Sequence, residues 1–404
     1  MSSRTSRECR SAMRTKEILG ELIAQPTVSS SSNRELIERC ASLLRDAGAE
    51  VVLLEADSGQ KANLYATIGP RDRPGVLLSG HTDVVPVDGQ DWSVPPFEMT
   101  EHEGKLYGRG TADMKGFVAS ALVAALAASR RHLQTPLHLA FSYDEEIGCV
   151  GVRSLVEMLA KAPFRPRMCI VGEPTSMDVA TGHKGKAALH ARFRGREAHS
   201  ALAPTGLNAL HLACDFVASL RELQSEIERE GPRDDDYDVP YSTVHVGRIE
   251  GGIALNIVPN TASVQFEIRH LAADDPAAII ERIKTRAAAI VASHTTQFPE
   301  ADIAIEITNT YPGLDTPLGA EVVSFVKALT RGNATKKVAF GTEGGLFDTE
   351  LGIPTVVCGP GSMEQGHKPD EFVSERQLAQ CDTMLATLID RLELDLFQTR
   401  VDDT

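Results

Sequence analysis

Three short, largely apolar runs limit what this chain can become: Gly75 to Gly80 (GVLLSG), Arg167 to Gly172 (RMCIVG) and Thr355 to Cys358 (TVVC). None alternates apolar with polar side chains, so each reads as a strand buried on both faces. That is the position of a strand inside a parallel sheet with helices on either side. Helical patterns separate them. Arg34 to Ala47 has helical spacing and stops at Gly48, Met114 to Arg130 is rich in alanine, and Gly151 to Ala160 follows a strand at Leu137 to Ser142. With strands at Glu50 to Leu54 and Asn63 to Ile68, the order of elements predicts an α/β unit with a mostly parallel sheet.

The texture changes after Gly182. Ala187 to Phe193, Ser242 to Val246 and Ser263 to Arg269 alternate as half-buried strands, and Asp302 to Thr308 is a further strand. Helices are expected at Asn208 to Arg229 and Pro276 to Ala292, giving the order β-α-β-β-α-β of a ferredoxin-like unit. Helix resumes at Glu321 to Thr330, before the TVVC strand. The expectation is an α/β domain of residues 14–183 and 309–404, interrupted by a smaller α+β domain of residues 184–308.

The 404 residues are too many for one simple core, in agreement with two domains. A net charge of −15 argues against a nucleic-acid or anionic-membrane partner, since neither attracts such a surface. The longest apolar stretch, Phe117 to Ser129, is too short to span a bilayer. Residues 1–13 carry Arg4, Arg7 and Arg10 among serines and no apolar segment of a secretory signal. They are expected as a disordered tail or an upstream start, with Met13 as an alternative initiator. Seven scattered cysteines without a CxxC pair read as reduced thiols, and a cytoplasmic location is expected.

The chemistry-bearing residues follow predicted strand ends. His81 and Asp83 follow GVLLSG, Asp113 opens a helix, Glu145 and Glu146 follow the strand ending at Ser142, Glu173 follows CIVG, and His367 lies beyond TVVCGPGS. Strand C-termini of an open α/β sheet form the rim where ligands bind, so these residues can converge. Taken singly, a loop histidine is ordinarily a hydrogen-bonded surface residue and an adjacent glutamate pair a solvated face. Gathered on one rim, carboxylates repel unless a cation joins them. Histidine with Asp and Glu, and no cysteine, suits zinc, manganese or cobalt.

GHTDVVP (Gly80 to Pro86), KLYGRGTADMKG (Lys105 to Gly116), DEEIG (Asp144 to Gly148) and GEPT (Gly172 to Thr175) together resemble metallopeptidase family M20. The likeness covers nearly the whole chain after Met13. It implies a zinc-hydrolase-like α/β/α catalytic domain with an inserted ferredoxin-like dimerisation or lid domain. It also implies two zinc ions per subunit, with cobalt or manganese as substitutes. By motif, His81 and Glu173 hold one ion, Glu146 and His367 the other, and Asp113 bridges them through a cis peptide to Met114. Asp83 is expected to orient the His81 imidazole, and Glu145 to act as general base on the attacking water.

In the inserted segment, GREAHSALAP resembles the family's histidine motif, so His199 is implied to reach a partner subunit's site and stabilise the oxyanion; the structural alternative is a surface histidine capping the next helix. Asn256 and Arg269 match positions that bind the substrate carboxylate, and for Arg269 a solvated strand face competes. WSVPPFEMTEHEGKLYGRGTADMKGF, FGTEGGLF and GPGSMEQGHKPDEF resemble the acetylornithine deacetylase branch. That likeness implies a homodimer that hydrolyses an N-acyl amino acid, N-acetylornithine first, with Glu343 and Asp348 as candidates to meet the substrate's amine. Alternatives are a succinyl-diaminopimelate desuccinylase, whose corresponding loop carries a serine-aspartate pair where this chain reads GTEGGLF, a deacetylase of another diamino acid, or a non-catalytic binding protein.

Overall fold

The computed structural model describes residues 2–397. The chain forms two compact units, one drawn from residues up to 182, 314–338 and 342 onward, the other from 183–313 and 339–341. The second unit is slightly wider than the expected 184–308 because its last strand, Asp302–Tyr311, runs past residue 308.

The sheet of the first unit is ordered Glu50–Glu55, Ala62–Ile68, Leu137–Ser142, Val76–His81, Met168–Pro174, Thr355–Gly359, Val179–His183, Leu314–Asp315, and Thr335–Val338 also pairs with Val179–His183. Its middle four strands, from Leu137–Ser142 to Thr355–Gly359, are parallel. The outer pairings at Ala62–Ile68 and Val179–His183 are antiparallel. Every residue of Val76–His81 and Met168–Pro174 is buried, as their unalternating sequences require.

Helix Lys115–Ala128 is buried almost all round, because it lies between the sheet and the helices Ser2–Ile23 and Glu375–Leu392. Its small residues permit close approach. A Cβ on Gly172 of the neighbouring strand would stand 1.9 Å from the Phe117 ring. Helices Val152–Ala160 and Gly344–Leu351 pack together as a separate group that also touches the sheet.

The opening differs from the expected disordered tail: it is helical from Ser2 to Ile23. No proline or glycine precedes Gly20, and Ile18, Leu19, Leu22 and Ile23 are buried, which anchors the helix from its C-terminal end. Helix Glu375–Leu392 also goes beyond the sequence reading. Ser374 caps it, its Oγ accepting from Gln377 N at 3.2 Å, in a Ser-x-x-Gln pattern visible in the sequence.

The second unit has a four-stranded antiparallel sheet ordered Thr243–Gly251, Thr261–His270, Gly185–Arg194, Asp302–Tyr311. With helices Ala209–Glu230 and Pro276–Ala292, this is the ferredoxin-like arrangement expected from the element order. Leu189, Ala191, Phe193, Val264 and Phe266 alternate inward and meet Phe216, Leu220 and Ile283 from the helices. Asn208 and Asp275 cap the two helices, each accepting a backbone N–H two residues on at 2.9 Å. Among the described residues, no helix is long and apolar enough to cross a membrane.

Candidate metal centre

The rim of the parallel strands gathers the candidate donors, all within the first unit. His81 ends the central strand Val76–His81, and Glu173 lies near the end of the adjacent Met168–Pro174. Glu145 and Glu146 sit in the turn after Leu137–Ser142, a turn that places Asp144 at φ 55° and Cys149 at φ 53°. Asp113 precedes helix Lys115–Ala128 and is joined to Met114 by a cis peptide. His367 has φ 60°, in the long loop after Thr355–Gly359.

Asp113 stands between the two imidazoles. Its Oδ1 is 3.0 Å from His81 Nε2 and its Oδ2 is 3.1 Å from His367 Nε2. On the His81 side, Glu173 Oε1 is 3.5 Å from the same Nε2. On the other, Glu146 Oε2 is 3.0 Å from His367 Nε2. The structure thus brings together all five expected ligands, one carboxylate oxygen facing each histidine. Candidate donor atoms of His81, Asp113 and Glu146, and of His81, Glu145 and Glu173, lie within 4.8 Å of one another.

The charges test whether a cation fits. Burial, reinforced by the Asp113 carboxylate, pushes Glu146 up to about 7 and Glu173 up to about 8. Burial and the Glu173 charge likewise hold Glu145 well above the usual carboxylate range. Hydrogen bonds to Asp113 and Glu146 push His367 up to about 10. Burial disfavours charge on His81, but the surrounding carboxylates of Asp113, Asp83 and Glu173 outweigh it and raise the imidazole well above its ordinary value. The excess of buried negative charge, presented by oxygen and imidazole nitrogen with no thiolate among the donors, fits hard to borderline divalent cations.

Asp83 accepts from the His81 imidazole, but through its main chain. His81 Nδ1 donates to the main-chain oxygen of Asp83 at 2.9 Å, while the Asp83 carboxylate stays 3.6 Å away, beyond hydrogen-bond reach. Instead that carboxylate accepts from Ser29 Oγ at 2.7 Å, Glu145 N at 3.1 Å and Glu146 N at 3.3 Å. It is drawn to three donors on one side and ties down the turn that carries both glutamates. Cys149 Sγ, 3.3 Å from Glu145 Oε1, holds that side chain from the other side.

Glu343 also departs from its expected place facing substrate. It is wholly buried, and its carboxylate accepts from Ser79 Oγ at 3.1 Å and from Ser142 Oγ, two strands' worth of hydroxyls beneath the rim. Asp348 is half-buried, and burial raises its carboxyl.

His199, Asn256 and Arg269 belong to the second unit. His199 is exposed, and its Nδ1 accepts from Ala201 N at 3.1 Å, so it does cap the short helix Ser200–Thr205. The same bond leaves the proton on Nε2, pointing away from the cap as a donor. Strand Ala198–His199 pairs with Ile257–Val258, and Ser200 N donates to Asn256 O at 2.9 Å, so the His199 and Asn256 segments are neighbours. Arg269 is half-buried, donating from Nε to Glu267 Oε1 and from Nη1 to Tyr311 Oη, each at 3.0 Å.

Nitrogen and oxygen donors arranged around one shared carboxylate, with a further carboxyl alongside, characterise a metal-dependent hydrolase. This chain belongs to peptidase family M20/M25/M40, whose model matches residues 77–391. It is 36% identical over 376 residues to an acetylornithine deacetylase from Myxococcus xanthus, covering 92% of this chain and 95% of that protein. Its fold is similar to an M20 family metallo-carboxypeptidase from Sulfolobus solfataricus (TM-score 0.77, 19% identity, 94% of this chain and 99% of that one). Aminopeptidase PepT from Bacillus cereus is similar too (TM-score 0.73, 21% identity, 95% and 99%).

Proposed function

We propose that this enzyme hydrolyses the amide of N-acetyl-L-ornithine, releasing acetate and ornithine. The observation that carries the hydrolytic reading is Asp113, with one oxygen against His81, which Glu173 also approaches, and the other against His367, which Glu146 also approaches. Two divalent cations, zinc by preference, would be held by those five residues. When bound, such ions polarise an acyl carbonyl and lower the pKa of water.

The chain's own groups then do the following. Glu145, buried and held by Cys149, takes the proton of the water that attacks the carbonyl carbon. As the carbon–nitrogen bond breaks, the same carboxyl returns that proton to the leaving amine. Asp83 keeps Glu145 in place through its main-chain N–H. In a homodimer, His199 Nε2–H from the partner subunit would donate to the developing oxyanion, and Asn256 and Arg269 would anchor the substrate carboxylate. Arg269 is already engaged by Glu267 and Tyr311, so it would meet the substrate with the N–H groups those two leave over. Support for pairing of two copies comes from the edge strand Thr243–Gly251 and the exposed Ile253 and Leu255 beyond it.

The acetyl specificity rests on the Myxococcus relative's name and on FGTEGGLF and GHKPDEF. The cytoplasm and a place in arginine biosynthesis rest on the same likeness, and the thiols of Cys40, Cys149, Cys169, Cys214, Cys358 and Cys381 are free, as a reducing compartment would keep them. Steady-state kcat/KM on N-acetylornithine, N-acetylcitrulline, N-acetyl-lysine and N-succinyl-diaminopimelate tests the substrate. N-acetylornithine should lead. A preference for the succinyl compound would overturn the deacetylase reading and leave the hydrolytic centre standing.

A further inference from the structure

Asp113 and His367 arrive on loops far apart in the chain, and their separation has to be fixed by something other than the ions. Glu371, four residues after His367, is buried against the Asp113 loop. Its Oε1 accepts three main-chain N–H groups of that loop: Gly110 at 3.1 Å, Ala112 at 2.9 Å and Asp113 at 3.1 Å. Its Oε2 accepts from Arg109 Nη1 at 2.6 Å, and both side chains are 1% exposed. Arg109 reaches back to the other loop, donating to Lys368 O at 3.3 Å and to Gln90 Oε1 at 2.6 Å. Gln90 Nε2 in turn donates to His367 O at 3.2 Å. The circuit closes from Asp113 through Glu371, Arg109 and Gln90 to His367. Beside it, strand Phe372–Ser374 pairs with Lys105–Tyr107, so both loops also leave from one small sheet.

We propose that Glu371 and Arg109 are a positioning pair that sets the distance between the Asp113 and His367 donors and so governs affinity for the cation on the His367 side. The proposal rests on the reading of Asp113 and His367 as ligands. Fold stability alone gives no reason for the arrangement, since a buried ion pair is commonly replaceable by apolar side chains without loss. What an apolar pair cannot do is direct hydrogen bonds onto the amides of a ligand loop. The His367 side needs such support most, because His367 is half exposed whereas His81 is wholly buried.

The test is titration of cobalt(II) into chelator-stripped protein, followed by visible absorption and calorimetry, for wild type, Glu371→Gln, Gln90→Ala and His367→Ala. Gln90 is only partly buried, so Gln90→Ala keeps the fold even where Glu371→Gln does not. Loss of outer partners of metal ligands commonly costs 10–100-fold in affinity. Both Gln90→Ala and Glu371→Gln should weaken the second equivalent of cobalt by about that factor. Gln90→Ala should weaken the first equivalent far less than the second, since Glu371 still holds the amides of Gly110, Ala112 and Asp113 in that variant. In metal-free Glu371→Gln, the amides of Gly110, Ala112 and Asp113 should exchange hydrogen faster. Wild-type affinity for both equivalents in Gln90→Ala, or equal weakening of the two, overturns the proposal. Two wild-type-like equivalents in His367→Ala would instead show that the ligand assignment itself is wrong.

Discussion

Glu145 is held from two sides, its main-chain N–H donating to Asp83 and its carboxylate accepting from Cys149 Sγ. A base so fixed loses little entropy on reaching the transition state, and burial, with Glu173 beside it, keeps its proton affinity high. Glu145→Gln should lower kcat on the order of 10²–10⁴-fold. Elemental analysis of that variant should find wild-type metal content. If metal is lost with activity, Glu145 is a ligand and not the base. His199 makes a second prediction at this scale. Its Nδ1 is committed to Ala201 N, so only Nε2–H is left to stabilise an oxyanion. His199→Ala should reduce kcat about 10²–10³-fold while changing KM far less. A variant that loses only KM would move His199 to ground-state binding.

Among the elements, the contact between helix Lys115–Ala128 and strand Met168–Pro174 has least room to spare. Gly172→Ala places a methyl inside the Phe117 ring, so strand or helix must shift. Thermal unfolding should show a loss of at least about 1–3 kcal/mol, and because Glu173 follows directly, metal affinity should fall with it. An unchanged melting temperature would mean the helix can slide freely. This element pair was legible in the sequence, since both segments are apolar without alternation, and so were the rim donors that follow such strands. The short strands Thr100–His102, Lys105–Tyr107 and Phe372–Ser374 were not. Three residues carry no periodicity, and these strands exist because they pair with one another. The roles of Arg109 and Glu371 were hidden for a related reason: each stood in a recognised motif, but a buried pair 262 residues apart leaves no local pattern. Asp83 was legible as a neighbour of His81, but spacing does not say that its main-chain oxygen takes the imidazole N–H while its carboxylate turns to Ser29 and the Glu145 turn.

At the scale of the whole molecule, stripping metal with a chelator should abolish activity, and zinc, cobalt or manganese should restore it, with up to two ions bound per chain. Full activity in rigorously metal-free protein would end the hydrolytic proposal. If two copies pair through the second unit and exchange His199, mixing inactive Glu145→Gln with inactive His199→Ala should recover about a quarter of wild-type activity, because half of randomly formed dimers then carry one intact site. No recovery after verified exchange would place His199 in its own subunit's site or outside catalysis. Strands Met168–Pro174 and Val179–His183 are close in sequence, yet Thr355–Gly359 lies between them. On the ribosome, the slot that it fills stands open while roughly 180 more residues are made, about 10–35 s at common elongation rates. For that interval two open strand edges, both buried in the finished sheet, wait for a third, and another strand of suitable length can take its place. The demand that this protein makes on chaperones is therefore set by the order in which its strands are synthesised, and a nascent chain stalled before residue 355 is the species to watch for aggregation.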